Sequence, residues 1–569
     1  MNKRAGIVFA AFAMVACSDG ASSAQRRSAF PTRTQIQRLL RRASRMRPTA
    51  PVRTSSSLDR WTLEGPLPDR VSGASVQPTD PWSSFVREQL GERALPFTSE
   101  LQCAAREIGR FVAQQGASPA GDVQGFIVAR CGVTTANIAV GSLSATMQGS
   151  SESQLLAELR RRGSSLIEAP PDGATRMGVA FHRQGERAQL TVLYANSLLE
   201  LAPYSMIPSS GRVELRGKLE TPARSLTALV TDGANETRRC DVDRTVSLPD
   251  FALACPVSSA DPTAVVELAA LPPGRIVARS VARVLVRPSG VLADGYQRAV
   301  TGSAQSVAPS DFGRALLDQL NARRQSINLA PLAVDGAQAL TNCSLAPVLM
   351  AEQLGFSIRS RDVDRAALGT IAGWDVDALV ERGAFSSALG LPTRDPSAWL
   401  AATLLWPSSR ATLLDAQATR VTVCAYARES SPTAQVEGVT WATYRTLDPS
   451  TIDRERDALR AVIDARRSAR GLAPVRIHRG LDAIAQASAA DLTAGRTTFD
   501  AALDGAVARL RERNLGAAAS AASYDRAPEA ELPEALVSQP SVRMGLGVAY
   551  YRAEGEPWAQ CVMVVLIKR

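Results

Sequence analysis

The chain has 569 residues, 45% of them apolar, which allows about three to five domains with filled cores. Its formal net charge is +10, yet of 65 basic residues only Lys3, Lys218 and Lys568 are lysines. The arginines are scattered through helical patterns in a chain that reads as exported, which points to a GC-rich genome and against a nucleic-acid surface. With two histidines in all, His182 and His478, no domain can assemble paired imidazoles.

The N-terminus reads Asn2-Lys3-Arg4, then an apolar run from Ala5 to Ala16. That run is too short to span a bilayer and has the basic-then-apolar pattern of an export signal. Met14-Val15-Ala16-Cys17 resembles a bacterial lipobox, which makes residues 1–17 a lipoprotein signal peptide and Cys17 the lipid attachment site; ordinary cleavage near Ser22-Ser23-Ala24 is the alternative. No later segment is long and apolar enough for a second membrane pass, so acyl chains on Cys17 are the expected membrane anchor, in the cell envelope and at its outer membrane. Residues 18–80 are rich in Ser, Arg, Pro and Thr and read as a disordered tether. Within it Arg41 to Arg53 could touch anionic head groups or cell-wall polymers; its plainer role is a solvated linker.

Residues 81–201 hold a helical pattern around Leu101, Ala105, Ile108 and Phe111, a second from Leu155 to Leu166, and a hairpin of strands 176–181 and 188–193. Residues 202–300 carry short β-forming runs broken by Gly, Pro and Asp at the spacing of an all-β sandwich, read as an immunoglobulin-like spacer. Two further units, 301–445 and 446–569, share a repeat. Asn321-Ala322-Arg323-Arg324 is followed by Leu329-Ala330-Pro331-Leu332, and Asp464-Ala465-Arg466-Arg467 by Leu472-Ala473-Pro474-Val475, at one spacing. The hairpin recurs too, as Arg420–Cys424 with Ala434–Val436, and as Arg543–Val548 with Ala559–Val564. Three helix-then-hairpin modules are implied, the first without a clear counterpart of the Ala-Arg-Arg helix.

In an exported protein, cysteines that are neighbours within a domain read as disulfides. The expected pairs are Cys103 with Cys131, Cys240 with Cys255, and Cys343 with Cys424, leaving Cys561 reduced. No pair has zinc-ligand spacing, and neither a metal nor a cofactor is expected.

Leu316 to Arg324 with Leu329 to Asp335, its second copy running on through Leu481, Ala485, Ala489 and Leu492, resembles the opening of bacterial CAP domains, also called SCP-like domains. Trp406-Pro407-Ser408-Ser409-Arg410 resembles the family's later Trp…Ser-Pro-x-His-Arg segment. The resemblance implies an α+β fold of tandem CAP-like α-β-α sandwich modules around the all-β sandwich. Many CAP domains line a central cavity with two His and two Glu, sometimes around a divalent metal, because imidazole nitrogen and carboxylate oxygen are the donors such an ion takes. Ser488 and Ser409 stand where the family has histidine, and Pro347 lies near the former place in the other copy. His478 reads as a helix-entry residue and His182 as an exposed hairpin residue. Asp362 and Asp364 could bind a cation, or solvate a helix start. Gly141-Ser142-Leu143-Ser144-Ala145 does not make a nucleophile elbow. The expectation is a non-catalytic envelope lipoprotein that binds a cell-wall, lipid or protein ligand. A hydrolase of peptidoglycan or peptides is the first alternative, a purely structural envelope protein the second.

Overall fold

The computed structural model describes residues 31–568 apart from 47–54, 57–59, 65–68, 120, 136–137, 148, 150, 163–166, 168, 209–210, 232–236, 260–262, 276, 291–294, 298–305, 335–343, 351–357, 374, 376, 428–433, 525–526 and 554–557. The signal sequence and Cys17 therefore lie outside the described residues. No helix among the described residues is long and apolar enough to cross a membrane.

Along residues 33–76 run helix α1 (Arg33–Ala43) and four short strands, β1 (Ser55–Ser56), β2 (Arg60–Thr62), β3 (Arg70–Val71) and β4 (Ser75–Val76). The first module follows with α2 (Pro81–Leu90), β5 (Phe97–Thr98), α3 (Ser99–Gln115), β6 (Ser118–Pro119), α4 (Gly121–Arg130), β7 (Ile138–Thr146), α5 (Glu152–Arg162), β8 (Arg176–Gln184) and β9 (Arg187–Ala195). A β-domain comprises β10 (Leu199–Leu201), β11 (Tyr204–Ser205), β12 (Arg212–Leu219), β13 (Ser225–Thr231), β14 (Thr237–Arg239), β15 (Asp241–Val242), β16 (Asp250–Pro256), β17 (Ala264–Leu271) and β18 (Arg279–Val286). After β19 (Gly295–Gln297) the second module has α6 (Pro309–Ser326), β20 (Ala333–Val334), α7 (Ala346–Leu349), α8 (Ser360–Thr370), β21 (Val380–Thr393), α9 (Pro396–Leu404), α10 (Pro407–Leu413), β22 (Arg420–Tyr426) and β23 (Val436–Thr446). The third has α11 (Ile452–Ser468), β24 (Arg476–Ile477), α12 (Arg479–Thr493), α13 (Phe499–Glu512), β25 (Ala518–Tyr524), α14 (Glu534–Ser538), β26 (Arg543–Tyr551) and β27 (Gln560–Lys568).

One strand order recurs three times: β5-β8-β9-β7, β20-β22-β23-β21 and β24-β26-β27-β25. In each, a short strand lies parallel to the first strand of the hairpin, and the strand preceding the hairpin pairs antiparallel with its second. Period-two side-chain alternation gives each sheet two apolar faces. In the third module Met544, Leu546, Val548 and Tyr550 of β26 pack on Leu459 and Ile463 of α11. Ala549 belongs to the opposite face, with Leu481 and Ala485 of α12 and Ala506 of α13. The result is helix, sheet, helix, an α+β fold. In the first module, α2 stands where the other two carry the Ala-Arg-Arg helix, its Trp82, Phe85 and Val86 buried on the sheet. The sequence signal for it was missing because it has no arginine pair.

That arginine pair has a local structural cause. Arg324 donates to the carbonyls of Ala330, Leu413 and Asp415. Arg467 donates to those of Ala473, Leu536, Gln539 and Pro540. Both are fully buried, so each guanidinium satisfies the turning backbone around it, as five fixed donors can. The residue three positions earlier closes the same loop: Asn321 exchanges two hydrogen bonds with Leu332, and Asp464 accepts from the Val475 N–H.

The β-domain stacks two four-stranded sheets, β10-β12-β16-β15 and β14-β13-β17-β18, around one core. Cys240 bonds Cys255 across it, and Cys103 in α3 bonds Cys131 just after α4. Cys424 is also disulfide-bonded, while Cys343, its expected partner, lies outside the described residues. Cys561 is a buried thiol outside any disulfide among the described residues.

The segment expected to be a disordered tether contains ordered, docked elements. Ile36, Leu39 and Ala43 of α1 enter the second module's core beside Val348, Ile371 and Tyr444. Strand β2 pairs with β19, β3 with β11 and β4 with β5. A short stripe in a polar helix carries too little apolar surface to fold alone; it folds because another module supplies the facing half of the core.

Candidate functional site

The positions picked out by the family resemblance are engaged in packing. Ser488 is buried on α12 and accepts from Arg509 Nη1 at 3.1 Å. The other arm of Arg509 reaches Asp491 at 3.0 Å, and Arg496 reaches Asp491 at 2.7 Å. Hydrogen bonds from these two arginines hold the Asp491 carboxyl below the usual carboxylate range. Ser409, buried on α10, lies 3.2 Å from the Ser386 hydroxyl. Pro347 sits half-buried in the single turn of α7 and has no side chain to donate.

Beside Ser409 the β-domain contributes Glu267 of β17. Its carboxylate accepts from the Ser408 N–H at 3.0 Å, from the Ser280 hydroxyl at 2.8 Å and from Arg283 at 3.1 Å, while the Arg283 guanidinium stacks 4.2 Å from the Trp406 ring. Burial alone would raise the Glu267 carboxyl, but Arg283 and the two serines outweigh it and hold the group below its ordinary value. The Trp-Pro-Ser-Ser segment is thus a seam between domains. A depressed carboxyl adds stability that is full above the unfolded value and lost as pH falls through the folded one. The seam is therefore expected to loosen in acid, below the ordinary Glu range. In Glu267→Gln, hydrogen exchange of the segment 404–414 should be faster at neutral pH and should lose that acid dependence; an acid response equal to wild type would assign the seam to other groups.

Asp362 stands in the first turn of α8, the helix start expected for it, but both it and Asp364 are buried against arginines rather than solvated. Asp362 pairs with Arg42 of α1 and with Arg359, and Asp364 with Arg275 at 2.8 Å. Both carboxylates are buried anchors for neighbouring segments. Ser142 and Ser144 lie in the regular strand β7, and Gly141, Leu143, Leu190, Val192 and Tyr194 line a small hollow beside it.

His478 is the N-cap of α12, its Nδ1 accepting from the Leu481 N–H at 3.3 Å, which is the helix-entry role expected. His182 is on the β8–β9 hairpin as expected, but not exposed there. It lies within β8, half-buried, with Arg110, Glu64 and Glu107 as its charged surroundings. Burial, then Arg110, lower its pKa against the opposing pull of Glu64 and Glu107. Arg110 is bonded to Glu107 at 2.7 Å and Glu64 at 3.0 Å, donates to the Thr62 carbonyl, and lies 4.2 Å over the Trp61 ring. Sequence reading missed this cluster. Glu107 and Arg110 are visible as an i, i+3 pair on α3, but Trp61 and Glu64 fall in the stretch read as linker. Chemically the cluster is a lock: the buried guanidinium ties residues 61–64 onto α3. Among the described residues no group of three or more His, Cys, Asp or Glu is placed to hold a metal ion.

The chain matches no family model and no curated protein. Among solved structures it is similar to an extracellular protein containing an SCP domain from Bacillus anthracis, at 14% identity over 53% of this chain and 94% of that one, with a TM-score of 0.18. It is similar also to a cysteine-rich secretory protein from Staphylococcus aureus, at 7% identity over 51% and 91%, TM-score 0.17. A third is Na-ASP-1, at 10% over 63% and 88%, TM-score 0.16. Superpositions that low carry no argument. The strand order common to its three sheets shows that the modules are alike; the CAP-like reading rests on the resemblance of the repeated motifs to that family.

Proposed function

We propose that the chain is a non-catalytic binding protein of the bacterial cell envelope, exported, held to the membrane by lipid on Cys17, and engaging a cell-wall, lipid or protein ligand through its CAP-like modules. The observation that supports this reading most is the fate of the positions resembling the family's site. Ser488 is taken up by Arg509, Ser409 lies against Ser386, and the neighbouring Ser408 N–H is taken by Glu267. Hydrolysis needs an acid and a base facing one reacting atom, whereas these groups face one another. Two disulfides accord with an exported chain.

The hydrolase alternative draws its one support from His182, which has Glu64 and Glu107 nearby. Incubating the purified wild-type protein and a His182→Ala variant with fractionated envelope extracts separates the readings, if both cleavage products and retained ligand are recorded. The binding reading expects ligand retained by both proteins and no products. Cleavage that depends on His182 would overturn it, and neither retention nor cleavage would favour a purely structural protein.

A further inference from the structure

The first sheet differs from the other two at one edge: β20 and β24 are each outermost, with Val334 and Ile477 exposed, and of these two edges only β24 continues into a row of three cations. In the first module β5 is not an edge strand, because β4 pairs with it antiparallel, Val76 opposite Phe97 and Ser75 opposite Thr98. This completes a row of side chains, Val76–Phe97–Met177–Tyr194, across four strands, with Phe97 buried. In the third module the corresponding row is Ile477–Met544–Ile567. It stops at β24, the outermost strand of its sheet, and Ile477 is 36% exposed. The His478 N–H donates to the Met544 carbonyl. Alternate residues of a parallel ladder point their amide groups the same way, so the N–H and C=O of Ile477 point out of the sheet.

The adjacent row on the other face is Arg476–Arg543–Lys568, three cations side by side on three neighbouring strands. Like charges directly opposite in a sheet are destabilising. Arg476 and Arg543 are exposed, and no ion pair with any of the three is present among the described residues. An exposed apolar residue, outward-pointing backbone groups and an unneutralised basic row thus meet at one strand.

We infer that β24 accepts an extended acidic peptide as an added antiparallel strand, with a β-branched residue beside Ile477 and, directly after it, an acidic residue against the Arg476–Arg543–Lys568 row. The first module carries out the same addition within one chain: continuing the Ser75–Val76 register puts Gln77 opposite Pro96, the counterpart of Arg476. Main-chain hydrogen bonds supply attachment and the alternate side chains supply selection, as in other strand additions. An acidic side chain at the Gln77 place would relieve the repulsion in the row, which inorganic phosphate or an anionic surface could do only without the backbone pairing. The inference rests on the reading that the modules bind rather than cleave.

The test uses the full-length mature protein and fluorescein-labelled Gly-Ala-Ser-Val-Glu-Pro, the chain's own 73–78 segment with glutamate for glutamine, followed by anisotropy. Binding should be at least about tenfold weaker when the glutamate is lysine, as expected for loss of charge-assisted contacts. It should weaken similarly with Ile477→Pro, which removes the outward N–H without touching the His478 bond to β26. Arg476→Glu should bind the lysine peptide better than the glutamate one; this exchange keeps the test valid should Ile477→Pro fail to fold. Absence of binding, or equal binding by a peptide with proline at the valine, would overturn strand addition. If the peptide fails while envelope extracts still leave ligand on the wild type, only this inference falls. Cleavage dependent on His182 would instead remove the reading beneath it.

Discussion

Arg467→Ala is expected to destabilise the third module by about 3 to 5 kcal/mol, the size associated with breaking a buried polar network. The side chain is 1% exposed and donates to four backbone carbonyls, from the loop after α11 and from the end of α14 onward. Truncation leaves those acceptors without donors and opens a void between α11 and α14. Arg467→Lys should recover little, since one ammonium cannot reproduce the planar fork that reaches carbonyls on opposite sides. Because a chain of several modules does not unfold in one step, the measurement is hydrogen exchange of β26 and β27 peptides against those of the first module. The third module should lose protection while the first keeps it. Arg324→Ala should do the same to β22 and β23, because Arg324 makes the equivalent bonds to Ala330, Leu413 and Asp415. Unchanged protection in both would mean that the repeated arginine has no structural part.

Gly545→Ala is expected to cost about 3 kcal/mol, the upper range for overpacking a close-packed interior. A Cβ there would stand 2.2 Å from the Leu481 carbonyl carbon and 2.4 Å from the Asp482 nitrogen. Both are backbone atoms of α12, so the helix itself would have to move off the sheet. Gly178 is placed alike in the first module, its Cβ falling 2.3 Å from the Leu101 carbonyl carbon of α3, and Gly178→Ala should behave the same way. Gly505→Ala is the control: it lies inside α13 with nothing within 4 Å of a new Cβ, and should stabilise by up to about 1 kcal/mol through helix propensity. Hydrogen exchange of the hairpin strands in the module that carries each substitution ranks the three variants, and unchanged protection in Gly545→Ala would mean that α12 is not seated against β26.

Much of the architecture is legible in the chain because its causes are local. The second arginine of each repeat bonds a carbonyl six residues on, and the Asn321 or Asp464 side chain reaches eleven residues on. Such a clamp appears as fixed spacing in the sequence, and a hairpin appears as two β-forming runs around a turn. The role of His478 follows equally from its place just before a helix. The candidate site was less legible. Ser409 and Ser488 can be picked out by resemblance, but what occupies their surroundings comes from far away: Glu267 meets Ser408 across 141 positions, and Glu64 meets Arg110 across 46.

The doubled helix-and-loop unit, the hairpin present in all three modules and two of the cysteine pairings can be read from the amino-acid order, each set by residues near one another in the chain or by a recurring pattern. Contacts between distant segments are what show that α1 and strands β2, β3 and β4 dock, that the Trp-Pro-Ser-Ser segment is a seam closed by Glu267, and that β5 is covered while β24 is open. Arg42 finds Asp362 at a separation of 320 positions. Thr32 and Gln35 form a capping box at the start of α1, but the surfaces that its apolar stripe and Arg42 meet lie in another module; packed modules present the other half of each contact, and composition summed over a short window does not contain it.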